Sequence, residues 1–220
     1  MIVSNFKFKI LVLAGAAMLA MSGDKTYAAT DPTDDPHAKH RSMLTKSQDT
    51  EAANAEVDLL NYSLTTQHGD AVHFKSDVVG DQIVVIDFVY TTCTTVCPVI
   101  SAIFQQVQKG LAERNEADVR LISVSIDPVR DTPQRLKEYA DKFHAGNNWV
   151  WLTGEKTTVD DVLRGLGAYT PDFEDHPSIV LVGDPRSGIW KRFFGFPSPT
   201  KILAAVDEMS ANRKTAYAQN

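Results

Sequence analysis

The sequence predicts an α/β fold: a thioredoxin-like three-layer α/β/α sandwich with an N-terminal hairpin. Three observations carry this reading. Ile83–Tyr90, Val119–Ile126 and Ser178–Val182 are short, nearly continuous β-branched runs, the pattern of strands buried on both faces of a largely parallel sheet. The segments between them carry apolar residues at helical spacing. The chain then closes with a strand pair and a last amphipathic helix, so strands alternate with helices that cover both faces of the sheet.

Taken in order, residues 1–28 read as a secretion signal. Lys7 and Lys9 form a basic start, Ile10 to Met21 an apolar run, and Thr26-Tyr27-Ala28 a small-x-small cleavage site. The run falls short of the roughly 20 apolar residues of a membrane span, so an uncleaved anchor is the alternative. Residues 29–56 are polar and proline-containing, the composition of a flexible leader. His37, His40 and Met43 within it are soft-metal donors without a structured scaffold, and we assign them no site.

The domain is expected over residues 57–212, with 213–220 as a tail. Leu59–Leu64 and Ala71–Phe74 flank a glycine-containing turn and predict the hairpin. Pro98 suits the first turn of a helix running from about Val99 to Arg114. Thr132 is a good N-cap and Pro133 a good first residue for the next helix, whose apolar stripe is Leu136, Tyr139, Ala140 and Phe143. Trp149–Leu152 reads as a strand, Thr158–Leu166 as a helix, Ile189–Phe194 as the hairpin partner of Ser178–Val182, and Pro199–Asn212 as the closing helix.

The net charge is −6, and removal of residues 1–28, with three Lys and one Asp, takes it to −8. Such a chain is repelled by nucleic acid and by anionic lipid, so neither is expected as a partner. Export would place the only two cysteines, Cys93 and Cys97, in an oxidising compartment: the periplasm, or a membrane anchored facing it.

Those cysteines lie where a central strand turns into a helix N-terminus. Free N–H groups and the helix dipole there favour thiolate over thiol. The Cys-x-x-x-Cys spacing puts both sulfurs on one face if that turn is helical, where they would meet one metal ion. It also permits a disulfide. His176 precedes the third buried strand, in a loop expected beside the cysteine helix, and is a candidate third ligand. Two thiolates and an imidazole suit copper: sulfur holds Cu(I), and nitrogen lets the same set accept Cu(II).

Tyr90-Thr91-x-Cys93-x-x-x-Cys97-Pro98, Ser123-Val124-Ser125-Ile126-Asp127-Pro128-x-Arg130-Asp131-Thr132-Pro133 and Asp175-His176 occur in order over about Leu59 to Asp207. In these motifs the chain resembles the Sco/SenC family of copper-binding, thioredoxin-fold proteins that assemble the copper centre of cytochrome c oxidase. The resemblance implies that Cys93, Cys97 and His176 ligate copper and that Asp127 supports the site from behind the ligands. It implies a copper-accepting protein, a cytochrome c oxidase subunit, as partner. A reactive thiol pair in an oxidising compartment that is not held by metal would need a reductant, for which a thioredoxin-like protein is the candidate. Asp127, Arg130 and Asp131 also read as a turn and helix-start cluster held by local hydrogen bonds. Pro177 departs from the family pattern, in which many members carry a hydroxyl residue after the histidine.

Two functions are therefore expected to compete. One is an exported copper chaperone using Cys93, Cys97 and His176. The other is a thiol-disulfide oxidoreductase in which Cys93 and Cys97 alone are catalytic.

Overall fold

The structure, a computed structural model, describes residues 51–218 apart from 115 and 117. Residues 1–28, expected to be a secretion signal, the expected leader up to residue 50, and His37, His40 and Met43 within it lie outside the described residues.

Among the described residues eight strands, β1 (Ala53–Asn54) to β8 (Ile189–Phe194) in chain order, form one mixed sheet in the order β1-β8-β7-β4-β5-β6-β2-β3. At its centre β4 (Ile83–Val89) is buried along its whole length. It runs parallel to β5 (Val119–Ser125), which is itself parallel to β6 (Trp149–Thr153), and antiparallel to β7 (Ile179–Asp184). The β7–β8 (Ile189–Phe194) pair and the hairpin β2 (Ser63–Thr66)–β3 (Ala71–His73) are both antiparallel, as their turn signals predict. Gly183 in β7 is required because a Cβ there would meet the ring of Trp190 across the hairpin at 2.0 Å.

Helices α1 (Val96–Glu113), α2 (Pro133–Lys142) and α4 (Pro199–Ala218) bury Phe104, Leu136 and Val206 against one face. Helix α3 (Lys156–Gly165) and a single π-helical turn, Phe74–Val79, bury Val159, Leu163 and Phe74 against the other. This is the predicted three-layer, thioredoxin-like sandwich. Thr132 caps α2 as expected, accepting the Arg135 N–H at 3.3 Å.

Several boundaries differ from expectation. The first hairpin strand is Ser63–Thr66, not Leu59–Leu64. α1 begins at Val96, not Val99, so Pro98 is its third residue, a place where its missing N–H leaves no intrahelical bond unmade. α4 continues through the expected tail to Ala218. Within the stretch expected to be leader, Ala53–Asn54 forms β1 on the edge of β8, and Ala55 N–H donates to the Trp190 carbonyl at 3.0 Å. α3 starts two residues early, at Lys156.

The topology decides where chemistry can sit. β4 and β5 are parallel, so their C-terminal ends, leading to Tyr90–Cys97 and Asp127–Thr132, share one edge of the sheet. β7 is antiparallel to β4, so its N-terminal end, preceded by His176, reaches that same edge. Three segments far apart in the chain thus converge.

Candidate metal centre

The turn after β4 starts with Cys93 N–H donating to the Tyr90 carbonyl at 3.1 Å. Cys93 precedes α1, and Cys97 is the second residue of the helix. The cysteines therefore do not share a helical face, as the i, i+4 spacing would require in continuous helix; the turn folds Cys93 back over the helix start. There Cys97 N–H, one of the donors that has no partner within the helix, donates to Cys93 Sγ at 3.3 Å. Both cysteines are buried and unbridged.

This arrangement makes the two thiols unequal. Burial pushes the Cys93 thiol up, but hydrogen bonds from the Cys97 and Thr95 backbone, together with those from the Cys97 and Tyr90 side chains, outweigh it and hold Cys93 at about 7. Burial also pushes Cys97 up, opposed by a hydrogen bond with the Tyr90 backbone. The neighbouring Cys93 and Asp87 add to the rise, so Cys97 stays protonated far above the usual thiol range.

His176 follows a short 3-10 turn, Phe173–Asp175, and its bond to Pro177 is trans. Its ring packs on Phe88, centroids 5.5 Å apart and planes tilted by 49°. Burial lowers its pKa, opposed by hydrogen bonding to the backbone of Ala168 and Pro177, so the imidazole is neutral at pH 7. Nε2 is buried with no hydrogen-bond partner. Cys93, Cys97 and His176 line one cavity of about 70 Å³, with Phe88, Tyr90 and Glu174 among its other walls. Among the described residues, no three His, Cys, Asp or Glu side chains stand close enough to hold a metal ion as they are. The expected ligands share a cavity, and closing them on one ion requires His176 and the thiols to approach.

Asp127 does not line that cavity. It lines a neighbouring one of about 450 Å³, which His176 also borders. Its carboxylate is buried and accepts from Arg130 Nη1 at 2.9 Å, and Arg130 lies over the Phe173 ring, 5.5 Å from its centroid. His176 and Ile126 stand between that cavity and the one the cysteines line.

Two residues that sequence reasoning gave no role at the site stand next to the cysteines. Asp87, on β4, is fully buried; its Oδ1 accepts from Ser123 Oγ at 2.5 Å and its Oδ2 has no partner. Burial, partly offset by the Ser123 bond, pushes its carboxyl up to about 7. Its signal was an acidic residue inside an apolar run. Asp131, also fully buried, accepts from Thr91 at the base of the cysteine turn. No local pattern announces that contact, which spans 40 residues of sequence.

A family model described as SCO1/SenC matches residues 50–211. The chain is 37% identical over 149 residues to the SCO1 protein homolog of Bacillus subtilis, covering 63% of this chain and 77% of that protein. Among solved structures it is similar to BsSco, a member of the Sco family of cytochrome c oxidase assembly proteins in which a disulfide switch was identified. That match has a TM-score of 0.61 at 26% identity and covers 73% of this chain and 96% of that one. It is also similar to Bradyrhizobium japonicum ScoI with copper bound, with a TM-score of 0.53 at 30% identity over 66% of this chain and 94% of that one. The chain belongs to the SCO1/SenC family.

Proposed function

We propose that this chain is an exported copper chaperone. It holds one copper ion as cargo through Cys93, Cys97 and His176 and passes it by ligand exchange to a cuproprotein, the copper centre of cytochrome c oxidase. The observation that carries this reading is the buried, unpartnered Nε2 of His176 in the wall of a cavity that both cysteines line. A buried imidazole nitrogen without a partner is an available donor, and with two sulfurs it makes a set that suits both copper oxidation states. His176 is neutral at pH 7 and brings no proton to displace, Cys93 is about half ionised, and Cys97 must release its proton on binding. Asp127 adjusts His176 from the adjoining cavity, as carboxylates behind a ligand do.

The inequality of the thiols favours a second reading, a thiol-disulfide oxidoreductase. A thiol titrating near ambient pH, beside one that stays protonated, is an attacking and resolving pair. A thioredoxin-like reductant would return such a pair to the dithiol.

The two separate on His176→Ala. Titrated with Cu(I) and then Cu(II), the wild type is expected to bind one copper per chain and to show a sulfur-to-copper charge-transfer band. His176→Ala should alter or lose the Cu(II) band, because the nitrogen donor is gone, while keeping disulfide exchange. Copper binding indifferent to His176 would overturn the chaperone reading and leave the oxidoreductase.

A further inference from the structure

The Asp131 carboxylate is fully buried and lies between two segments that are distant in sequence. On one side it accepts from Thr91: Oγ1–H at 2.6 Å to Oδ1, and N–H at 3.1 and 3.3 Å to its two oxygens. On the other it accepts from Ser125 Oγ at 2.7 Å, at the end of β5. Ser125 Oγ in turn accepts the Asp127 N–H at 3.1 Å, and Asp131 N–H donates to the Asp127 carbonyl at 3.0 Å. Thr91 stands two residues before Cys93, inside the turn that brings Cys93 Sγ to Cys97 N–H. Beside the backbone bond from Ile126 N–H to the Val89 carbonyl at 2.9 Å, the side-chain ties from Thr91 and Ser125 thus meet at one carboxylate, at the start of α2 and the end of β5.

We propose that Asp131 is a positioning residue for the cysteine pair: by clamping Thr91 to the β5–α2 junction, it holds Cys93 Sγ against the N-terminus of α1. The proposal rests on the reading that Cys93 and Cys97 are the working thiols, whether as ligands or as a redox pair. Asp131 touches neither sulfur and acts only through the turn. Without the clamp the turn is free to move, Cys93 Sγ loses the N–H donor that stabilises it, and the two sulfurs no longer face one ion at a fixed separation. Of the Thr91 side chain, only the hydroxyl serves the clamp, beside the backbone N–H; its methyl group does not.

The test uses Asp131→Ala, Thr91→Val and Thr91→Ser, with Arg213→Ala as a control that loosens the opposite edge of the sheet. Two quantities are measured on each: Cu(I) affinity by competition with a chromophoric Cu(I) chelator, and the dithiol–disulfide equilibrium of the metal-free protein against glutathione. Asp131→Ala and Thr91→Val are each expected to weaken Cu(I) binding by about tenfold or more, in the range typical of residues that orient ligands. Both should shift the metal-free pair toward the disulfide, because the reduced form loses its stabilising donor. Thr91→Ser should keep wild-type values, and Arg213→Ala should move neither quantity. If Asp131→Ala does not fold, Thr91→Val and its serine rescue decide. Unchanged values in Thr91→Val, or equal shifts in Arg213→Ala, would overturn the proposal. Should the wild type bind no Cu(I), the copper reading fails by itself, and the glutathione equilibrium still decides the role of Asp131.

Discussion

Asp131 and Asp184 sit at opposite edges of one sheet, each with its side chain fully buried, and burial pushes both carboxyls toward the neutral form. Their partners make the outcomes opposite. Asp184, at the end of β7, accepts from Arg213 Nε at 3.0 Å and Nη2 at 2.5 Å, and from Arg186 N–H at 2.9 Å. The guanidinium overcomes burial and holds Asp184 below the usual carboxylate range. Asp131 has only neutral donors, from Thr91 and Ser125, and the negative charge of Asp127 nearby, so its carboxyl stays raised. One carboxylate is compensated and fastens α4 to the sheet. The other is left under-compensated at the edge where the thiols are, and fixes a turn. The same burial thus serves stability at one edge and site geometry at the other.

The comparison breaks first at Arg213. Arg213→Ala leaves the Asp184 charge buried and unpaired, which should destabilise the fold by about 3–5 kcal/mol in denaturant unfolding. Copper affinity of the folded protein should not change; a parallel loss of affinity would show the two edges to be coupled. Asp131→Ala removes hydrogen bonds to a carboxylate and strands the Thr91 N–H, a smaller loss of about 2–3 kcal/mol in the same measurement, and here the site should suffer with it.

A finer difference lies in the response to acid. Asp184, depressed below its ordinary 3.8, contributes stability that is fully present above 3.8 and is lost as pH falls through the depressed value. Asp131, raised above 3.8, binds its proton more tightly in the folded state, so its contribution improves as pH falls toward 3.8. Unfolding free energies from neutral pH down to about pH 3 should therefore diverge. The gap between wild type and Asp131→Ala should widen on approach to pH 4, whereas the gap to Asp184→Asn should hold to about pH 4 and narrow below it. Gaps that move together would mean that the guanidinium does not distinguish the two sites.

Much of this was legible from residues alone. Ile83–Val89 announces a central strand because β-branched side chains suit a surface buried on both faces, and the cysteines after it mark the working edge. The place of His176 was legible from the thioredoxin-like layout, in which the loop before β7 lies beside the cysteine helix; it reaches that edge because β7 runs antiparallel to β4. The start of α1 was misplaced because Pro98 fits any residue of a first turn, and those three residues decide that Cys97 offers a helical N–H to Cys93. β1, two exposed residues on an edge, has no periodicity to read. Asp131 looked like part of a local turn, and its loop does make such bonds, but its carboxylate is committed to Thr91 across the sheet edge. A hydrogen bond between distant segments follows from topology, and no spacing encodes it.

Whether Cys93, Cys97 and His176 together hold one copper ion is read most directly by X-ray absorption at the copper edge of the loaded wild type and His176→Ala. Two sulfur scatterers and one nitrogen are expected in the wild type, with the nitrogen lost or replaced in the mutant and both sulfurs retained. A copper shell without sulfur, or one whose nitrogen is unchanged by removing His176, would contradict this expectation.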